Sequence, residues 1–570
     1  MGEEAAPVIF VRRASGLVRT VGPFTAFMLV FTHTVGGGIH KLAVIAAYQH
    51  PGAFVPFSFL ITGVLAMIPT ALVYTMLGVM MPRTGGDYIF ITRGLSPVLG
   101  FLASWGFWFT EVLSYGIIAW YSIDFFVSAA TAAGIALRDE GLLATAQWMA
   151  STQGHWVLGM TFVILFGAIA LLGMKIYGWI INVLGVVAIL GCLSNLLILG
   201  AWGFTPGATV AGWDRIYGAG AYEKIVRKAF ELGDPPVAPF SWEATMSASV
   251  GAIWAYIGIL SAVFVGGELK TPARSLFIAQ VVGTTIIMLY YIALPFMVYT
   301  VWVVPRDILE KVGAMSYLQA AGVPPDRVYF NALYFYVFNK LGAEGLASLL
   351  GVPPTYLLPP KVVTSFTIPL VPKGLEWLQV LNGTVVGIIL LKDIPAFFVV
   401  GSRMVFAWAF DRFFPEFFAA VNERFHSPHW AILITMLGGA VGVALTAGGD
   451  WAAAADTTNL YQFAVMMACL SAAVLPYLRS DLYERSPLKW EIAGIPVLSI
   501  LGAYGFGINM FFFFVATKEI FYYFGSESLM IPIHQSFWMA LGAFIFVSFL
   551  IYNSKRGIDV KTIYTEIPPA

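Results

Sequence analysis

The sequence predicts an all-α integral membrane protein of twelve transmembrane helices. These form two inverted five-helix repeats, with helices one and six broken, followed by two additional C-terminal helices. Three observations carry this prediction. Hydrophobic residues make up 59% of the 570 and charged residues only 11%, against roughly 25% charged in soluble domains. Apolar windows of 18 residues or more, the length a bilayer demands, recur twelve times. Glycine-containing interruptions fall inside the first and the sixth of these windows.

Composition also narrows the functional classes. The net charge is zero, which provides no electrostatic footprint for nucleic acid. Cys192 and Cys469 lie far apart inside apolar runs, the placement of small buried hydrophobes and not of a redox or metal motif. No HExxH, CxxC or Ser/His/Asp arrangement is present, so neither an enzyme nor a metal or cofactor site is expected. The N-terminus, MGEEAAPVIFVRRASG, has no signal-peptide apolar region or cleavage site, and the first long apolar stretch reads as a retained span.

The windows fall near 22–47, 54–80, 96–130, 156–174, 177–203, 244–267, 276–303, 376–410, 430–448, 457–477, 494–517 and 530–553. Residues 131–155 read as a short loop between the third and fourth. Segment 328–350 is apolar, but Asn331, Asn339, Lys340 and Glu344 mark it as an amphipathic helix outside the membrane. The chain then divides into an N-terminal segment 1–21, a first repeat 22–203, an outer loop 204–243, a second repeat 244–477 containing a long outer loop 304–374, two further spans within 478–553, and a tail 554–570.

Basic residues test the count. Loops on the side of both termini hold sixteen, from Arg12, Arg13 and Arg19 through Arg83, Arg93, Lys175, Lys270, Arg274, Arg412, Arg424, Arg479, Arg485 and Lys489 to Lys555, Arg556 and Lys561; the short loops opposite hold only Arg138 and Lys518. Long loops count little in orientation. This asymmetry predicts a multi-pass protein of the cell membrane with both termini in the cytoplasm.

Val35-Gly36-Gly37-Gly38-Ile39 interrupts the first span. Each glycine costs a helix roughly 1 kcal/mol, so three in a row predict unwinding. Unwound backbone is tolerated at membrane depth only where it is buried in protein or lines a cavity. Trp254-Ala255-Tyr256-Ile257-Gly258, with Ser261 beyond, interrupts the sixth span more weakly. Spans one and six each open a group of five and run in opposite directions, so matching breaks predict an inverted repeat with a transport site at its interface. Close helix packing through small residues is the simpler reading of a lone glycine.

Four segments carry a family resemblance. Gly36-Gly37-Gly38-Ile39 is similar to a Gly-Ser-Gly-Ile motif, with Gly37 at the serine. Met81-Pro82-Arg83-Thr84-Gly85-Gly86-Asp87-Tyr88, followed by Gly100-Phe101-Leu102, is similar to a Pro-Arg-Ser-Gly-Gly-Glu-Tyr loop. Gly267-Glu268-Leu269-Lys270-Thr271-Pro272-Ala273-Arg274 is similar to the ending of a sixth span, and Ser402-Arg403 with Asp411-Arg412-Phe413-Phe414-Pro415 and Ser427-Pro428 to the region after an eighth. In this order they resemble the amino acid permeases of the amino acid–polyamine–organocation (APC) superfamily. The resemblance implies the APC/LeuT-type fold and secondary active transport by alternating access, with an amino acid at mid-membrane. The alternatives are an amino acid exchanger or, in a different class, an uncoupled channel or transporter-like sensor.

The breaks supply matching chemistry. Free N–H groups beside Gly36, Gly37 and Gly38 suit a carboxylate, and carbonyls freed near Trp254, Ala255 and Ile257 would accept from an ammonium. Val35, Ile39, Tyr256 and Gly258 complete the expected site, with Trp254 and Tyr256 as an aromatic wall or as interhelical packing. Leu260 stands where the resemblance places an acidic residue in exchangers of dibasic substrates, which points to neutral or apolar cargo.

Coupling candidates are the ionisable residues inside spans, which are expensive there. Glu111 lies about 22 Å into span three at 1.5 Å per residue, and Lys392 and Asp393 lie near the middle of span eight. Helical geometry turns Lys392 and Asp393 about 100° apart, so they are not natural partners; a buried, purely structural pair of Lys392 with Glu111 is one reading, and a protonatable carboxylate near the site, Glu111 or Asp393, is the sharper one. His40 follows the first break and titrates in the useful range; His33 precedes it. Span five has no lysine, reading Val187-Ala188-Ile189-Leu190, and span eight reads Ala396-Phe397-Phe398 with no Ser/Thr pair. Neither the lysine nor the sodium mechanism implied by the resemblance transfers, and a proton is the coupling ion expected. The lipid bilayer and an amino acid substrate are the other partners.

Overall fold

The computed structural model describes residues 15–447, 458–524, 530–558, 564, 566 and 567. Arg12, Arg13 and Lys561 of the charge tally, with most of the expected N-terminal segment and tail, lie outside the described residues. Twelve helices among those described are long and apolar enough to cross a membrane: Pro23–Gln49, Val55–Met80, Pro97–Leu137, Thr152–Ala170, Met174–Gly203, Trp242–Phe264, Pro272–Val301, Glu376–Phe410, His429–Ala447, Thr458–Leu478, Val497–Glu519 and His534–Lys555. They are spans 1 to 12 in that order. With an even number of crossings both ends of the bundle emerge on one face, the terminal face. The two long segments, after spans 5 and 7, emerge on the opposite or loop face.

Burial grades the spans. Span 1 is 94% buried and span 6 is 83% buried, whereas span 12 is 17% buried. The two interrupted helices therefore form the centre of the bundle, and the last two spans face outward with apolar residues such as Phe514, Phe537 and Phe544 exposed. Such a surface is stable only against lipid.

Span 3 differs from expectation. It continues as one helix to Leu137, where Arg138 takes the left-handed conformation (φ 52°) and ends it. Residues 131–155 are thus mostly helical, not a loop: a second helix, Glu140–Ala150, is capped by Asp139, whose carboxylate accepts from the Gly141 and Leu142 N–H groups. Ser151 then caps span 4 by accepting from Gly154. Side-chain caps of this kind satisfy the open N–H groups of a first turn, so two helices abut with one residue between them.

Helix Phe330–Leu350 is not among the spans and kinks at Gly342 (φ 69°). It joins the two long segments into a layer on the loop face, cored by Tyr222 stacked 3.9 Å on Phe330 and by Trp213 at 4.7 Å from Tyr334. From this layer a stretch including Val362, Val363, Thr364 and Phe366, all fully buried, descends among the spans. The Val363 N–H donates to the His40 carbonyl (3.0 Å), and the Ser128 and Thr364 hydroxyls meet at 2.7 Å.

Candidate functional site

The break in span 1 is narrower than three glycines suggest. The first half-helix, Pro23–Thr34, ends at Val35 (φ −82°, ψ 84°). Gly37 is already back in helical geometry, and a π-helical turn, Gly38–Leu42, leads into Ala43–Gln49. Span 6 does not unwind. Its α-helix, Trp242–Tyr256, tightens to a 3-10 turn over Ile257–Leu260 and resumes at Ser261. A 3-10 turn keeps its N–H groups bonded three residues back, so fewer carbonyls are freed than the glycine and serine imply.

The glycines bring the two interrupted helices into backbone contact. A Cβ on Gly38 would lie 2.4 Å from the Cα of Ala255, and one on Gly258 would lie 2.3 Å from the carbonyl of His33. Gly37 faces elsewhere, toward Ile118 of span 3 (2.9 Å) and the Trp254 ring (3.8 Å). Val35, Ile39, Ala255, Ile257 and Gly258 are buried around this contact. Tyr256 is fully buried too, its hydroxyl reaching the Phe59 carbonyl of span 2 (3.4 Å) and its ring 4.7 Å from that of Tyr291, while Trp254 is half-buried. Tyr291 of span 7, which the sequence did not single out, joins the breaks. Its hydroxyl donates to the Ala255 carbonyl (2.9 Å) and is also bonded to the Thr34 carbonyl.

Charged groups flank the other side of the span 1 break. The Lys392 ammonium donates to the Thr32 carbonyl (2.9 Å), the Val35 carbonyl (2.7 Å) and Asp393 Oδ1 (2.5 Å). This corrects the expectation that Lys392 would pair with Glu111 and turn away from Asp393. The helix of span 8 is interrupted at Lys392, between Leu391 and Asp393, so the 100° rule of a continuous helix does not apply. An ammonium thus sits on the negative end of the first half-helix. The Asp393 carboxylate rests against Gly36, beside the positive end of the second.

Glu111 pairs instead with His33, whose Nε2 lies 3.1 Å from Oε2. The other ring nitrogen of His33 meets the Ser261 hydroxyl at 2.8 Å, linking spans 1, 3 and 6. His40 Nδ1 faces the Gly36 carbonyl at 2.9 Å and Nε2 meets the Tyr290 hydroxyl at 2.8 Å. A carbonyl only accepts, so Nδ1 carries a proton. Toward the loop face, Lys41 lies 3.5 Å from Asp124 and 3.0 Å from the centre of the Tyr121 ring, and His155 closes on Asp124 at 3.1 Å.

On the terminal face two arginines hold the ends together. Arg403 grips Glu268, just beyond span 6, through Nε and Nη2 at 3.0 and 3.1 Å, while Val21, before span 1, donates its N–H to the Glu268 carbonyl at 3.0 Å. Arg93 binds Asp411 at 2.6 and 3.0 Å. Forked pairs of this kind fix geometry as well as charge. Among the described residues no three His, Cys, Asp or Glu side chains gather as a metal site.

The model of the amino acid permease family matches residues 21–549. An arginine/agmatine antiporter of Chlamydia trachomatis serovar L2 is 21% identical over 423 residues, covering 71% of this chain and 67% of that protein. The serine/threonine exchanger SteT of Bacillus subtilis is 23% identical over 283 residues, covering 50% and 55%. A polyamine transporter of Oryza sativa subsp. japonica is 26% identical over 172 residues, covering 30% and 29%.

Proposed function

The chain belongs to the amino acid permease family, and on that premise we propose that it is a secondary active transporter that moves neutral or apolar amino acids by alternating access with a proton as the coupling ion. It is a multi-pass membrane protein that transports, not an enzyme. In this reading spans 1–5 and 6–10 form the two inverted repeats, and the terminal face is cytoplasmic.

The supporting observation is the meeting of two interrupted central helices through glycine; in this reading main-chain groups at the break are the ligands. The cargo's amino acid backbone is read on the Gly37 side of span 1, where Ile118 and Trp254 stand and offer an apolar surface for a neutral side chain. The opposite side of the same break is already neutralised by Lys392 and Asp393. An ammonium held by two carbonyls and a carboxylate leaves no electrostatic need for a bound sodium ion there, which favours a proton.

Exchange is the second reading, favoured by the names of relatives that are themselves antiporters or exchangers. Equilibrium binding of a labelled amino acid panel to the purified protein tests the site. Binding of neutral amino acids that is lost in Gly37→Leu, while that variant keeps its thermal stability, supports the assignment. Retained affinity in Gly37→Leu removes it.

A further inference from the structure

We propose that Asp87 is the group through which a proton held at the His33–Glu111 pair leaves toward the terminal face, crossing a small hydrated chamber lined by Tyr461 and Tyr74. The inference rests on the proton-coupled reading above.

The chamber is built from polar atoms that the protein does not satisfy. The Asp87 carboxylate is fully buried with no side-chain partner and only main-chain N–H groups of its own turn beside it. The buried hydroxyls of Tyr74 and Tyr461 have no hydrogen-bond partner, and the Glu111 oxygens have only the ion pair to His33. A buried polar group left unpaired costs about 1–3 kcal/mol, so the two hydroxyls and the under-satisfied Asp87 carboxylate gathered in one region favour water among them. Their placement is consistent. Tyr461 of span 10 packs edge-on against Phe107, one helical turn from Glu111, at 5.1 Å. Tyr74 of span 2 packs edge-on against Phe90, one turn from Asp87, at 5.9 Å. Tyr461 lies within electrostatic range of both Glu111 and Asp87.

Among the described residues no cation is paired with Asp87. The groups that face it are Tyr74 from span 2, Glu111 from span 3 and Tyr461 from span 10, with Cys469 of span 10 beside the two tyrosines. On its own helix (Asp87–Gly94), Arg93 turns to Asp411; Arg403 of span 8 turns to Glu268. Burial, opposed by the Tyr88 N–H and helped by the nearby Glu111 charge, pushes the Asp87 carboxyl up to about 8. Asp87 therefore takes or releases a proton within the physiological range, unlike an exposed carboxylate.

Its position ties proton release to movement. The Gly85 N–H donates to the Phe264 carbonyl at the end of span 6 (3.2 Å), and Gly86 packs on the Phe264 ring. When this half of span 6 shifts, the turn that carries Asp87 shifts with it. In the step proposed, Asp87 starts as the neutral acid and gives its proton to water at the terminal face, becoming a carboxylate. A proton then leaves a Glu111 oxygen and reaches the emptied Asp87 oxygen through water or the Tyr461 hydroxyl. Glu111 is then the anion and Asp87 the neutral acid again.

The test uses the whole protein in proteoliposomes, with two readouts on Asp87→Asn: accumulation of a labelled neutral amino acid driven by an imposed pH gradient, and amino acid counterflow without a gradient. We expect gradient-driven accumulation to fall at least about ten-fold, the size of effect a positioned proton-transfer group provides, with counterflow retained and accumulation restored in Asp87→Glu. Independently, infrared difference spectra of the wild type should show a carboxylic-acid band that titrates at about pH 8 and is absent in Asp87→Asn. Gradient-driven accumulation unchanged in Asp87→Asn, or a wild type without that band, overturns the inference. Wild type that exchanges amino acids but ignores the pH gradient overturns it too, while the amino acid reading survives; failure of both transport modes removes the underlying reading itself.

Discussion

Gly36 and Asp393 are in direct contact: a Cβ on Gly36 would stand 1.5 Å from Oδ2 and 2.4 Å from Cγ of Asp393. No side chain fits between them, so the glycine allows the carboxylate of span 8 to reach the main chain of span 1. Gly36→Ala is expected to cost about 1–3 kcal/mol, the usual overpacking penalty, and to abolish substrate binding. Because the atom met first belongs to Asp393, the double variant Gly36→Ala/Asp393→Ala should recover part of the stability and none of the binding. Thermal unfolding in detergent and ligand binding check both parts.

Lys392 is the counterpart on the carbonyl side. Removing its charge leaves Asp393 buried beside the break with its ion-pair partner gone, and breaking a buried pair in this way costs about 3–5 kcal/mol. Lys392→Met is therefore expected to be strongly destabilised, and Lys392→Met/Asp393→Asn to be milder than the single change. Comparison of the two melting curves decides the point.

Tyr291→Phe deletes a hydroxyl from span 7 bonded to both interrupted spans, at Thr34 and Ala255. The lost bonds should cost about 1–3 kcal/mol and weaken substrate binding several-fold, without changing the helical content seen by circular dichroism.

The Arg403–Glu268 pair closes the terminal face between spans 8 and 6. Arg403→Ala and Glu268→Ala should each impair transport, and their combination should cost less than the sum. A double-mutant cycle on stability should give a coupling of at least about 1 kcal/mol, as expected of contacting charges in one network.

Asp87 makes stability depend on pH in a stated direction. The folded protein keeps its proton up to about pH 8, whereas an unfolded chain releases it near 3.8. The folded state binds more protons between these values, so this contribution is full at the acid end and declines as pH rises toward 8. Asp87→Asn should flatten that decline in melting temperature.

The twelve spans were legible because each is a long apolar run, and segment 328–350 was excluded by four polar residues. The end of span 3 was missed since Asp139 and Ser151 act as caps, which turn an apparent loop into helices. In the site, the three glycines predicted unwinding, and only Val35 and Gly36 leave the helix; Gly38, like the lone Gly258, instead admits the backbone of the facing span. The Lys392–Asp393 pair was missed because the break was not read from Pro395, which has no N–H to give the Leu391 carbonyl four residues back. Tyr291 was hidden by abundance among 25 tyrosines, and only the fold identifies the one whose hydroxyl meets both breaks.

The central claim is tested most directly by uptake of a labelled amino acid panel into proteoliposomes with imposed proton or sodium gradients. The account predicts saturable accumulation of neutral amino acids driven by an inward proton gradient, indifferent to sodium and lost in Gly36→Ala. Uptake of no amino acid under any gradient or in exchange would contradict it.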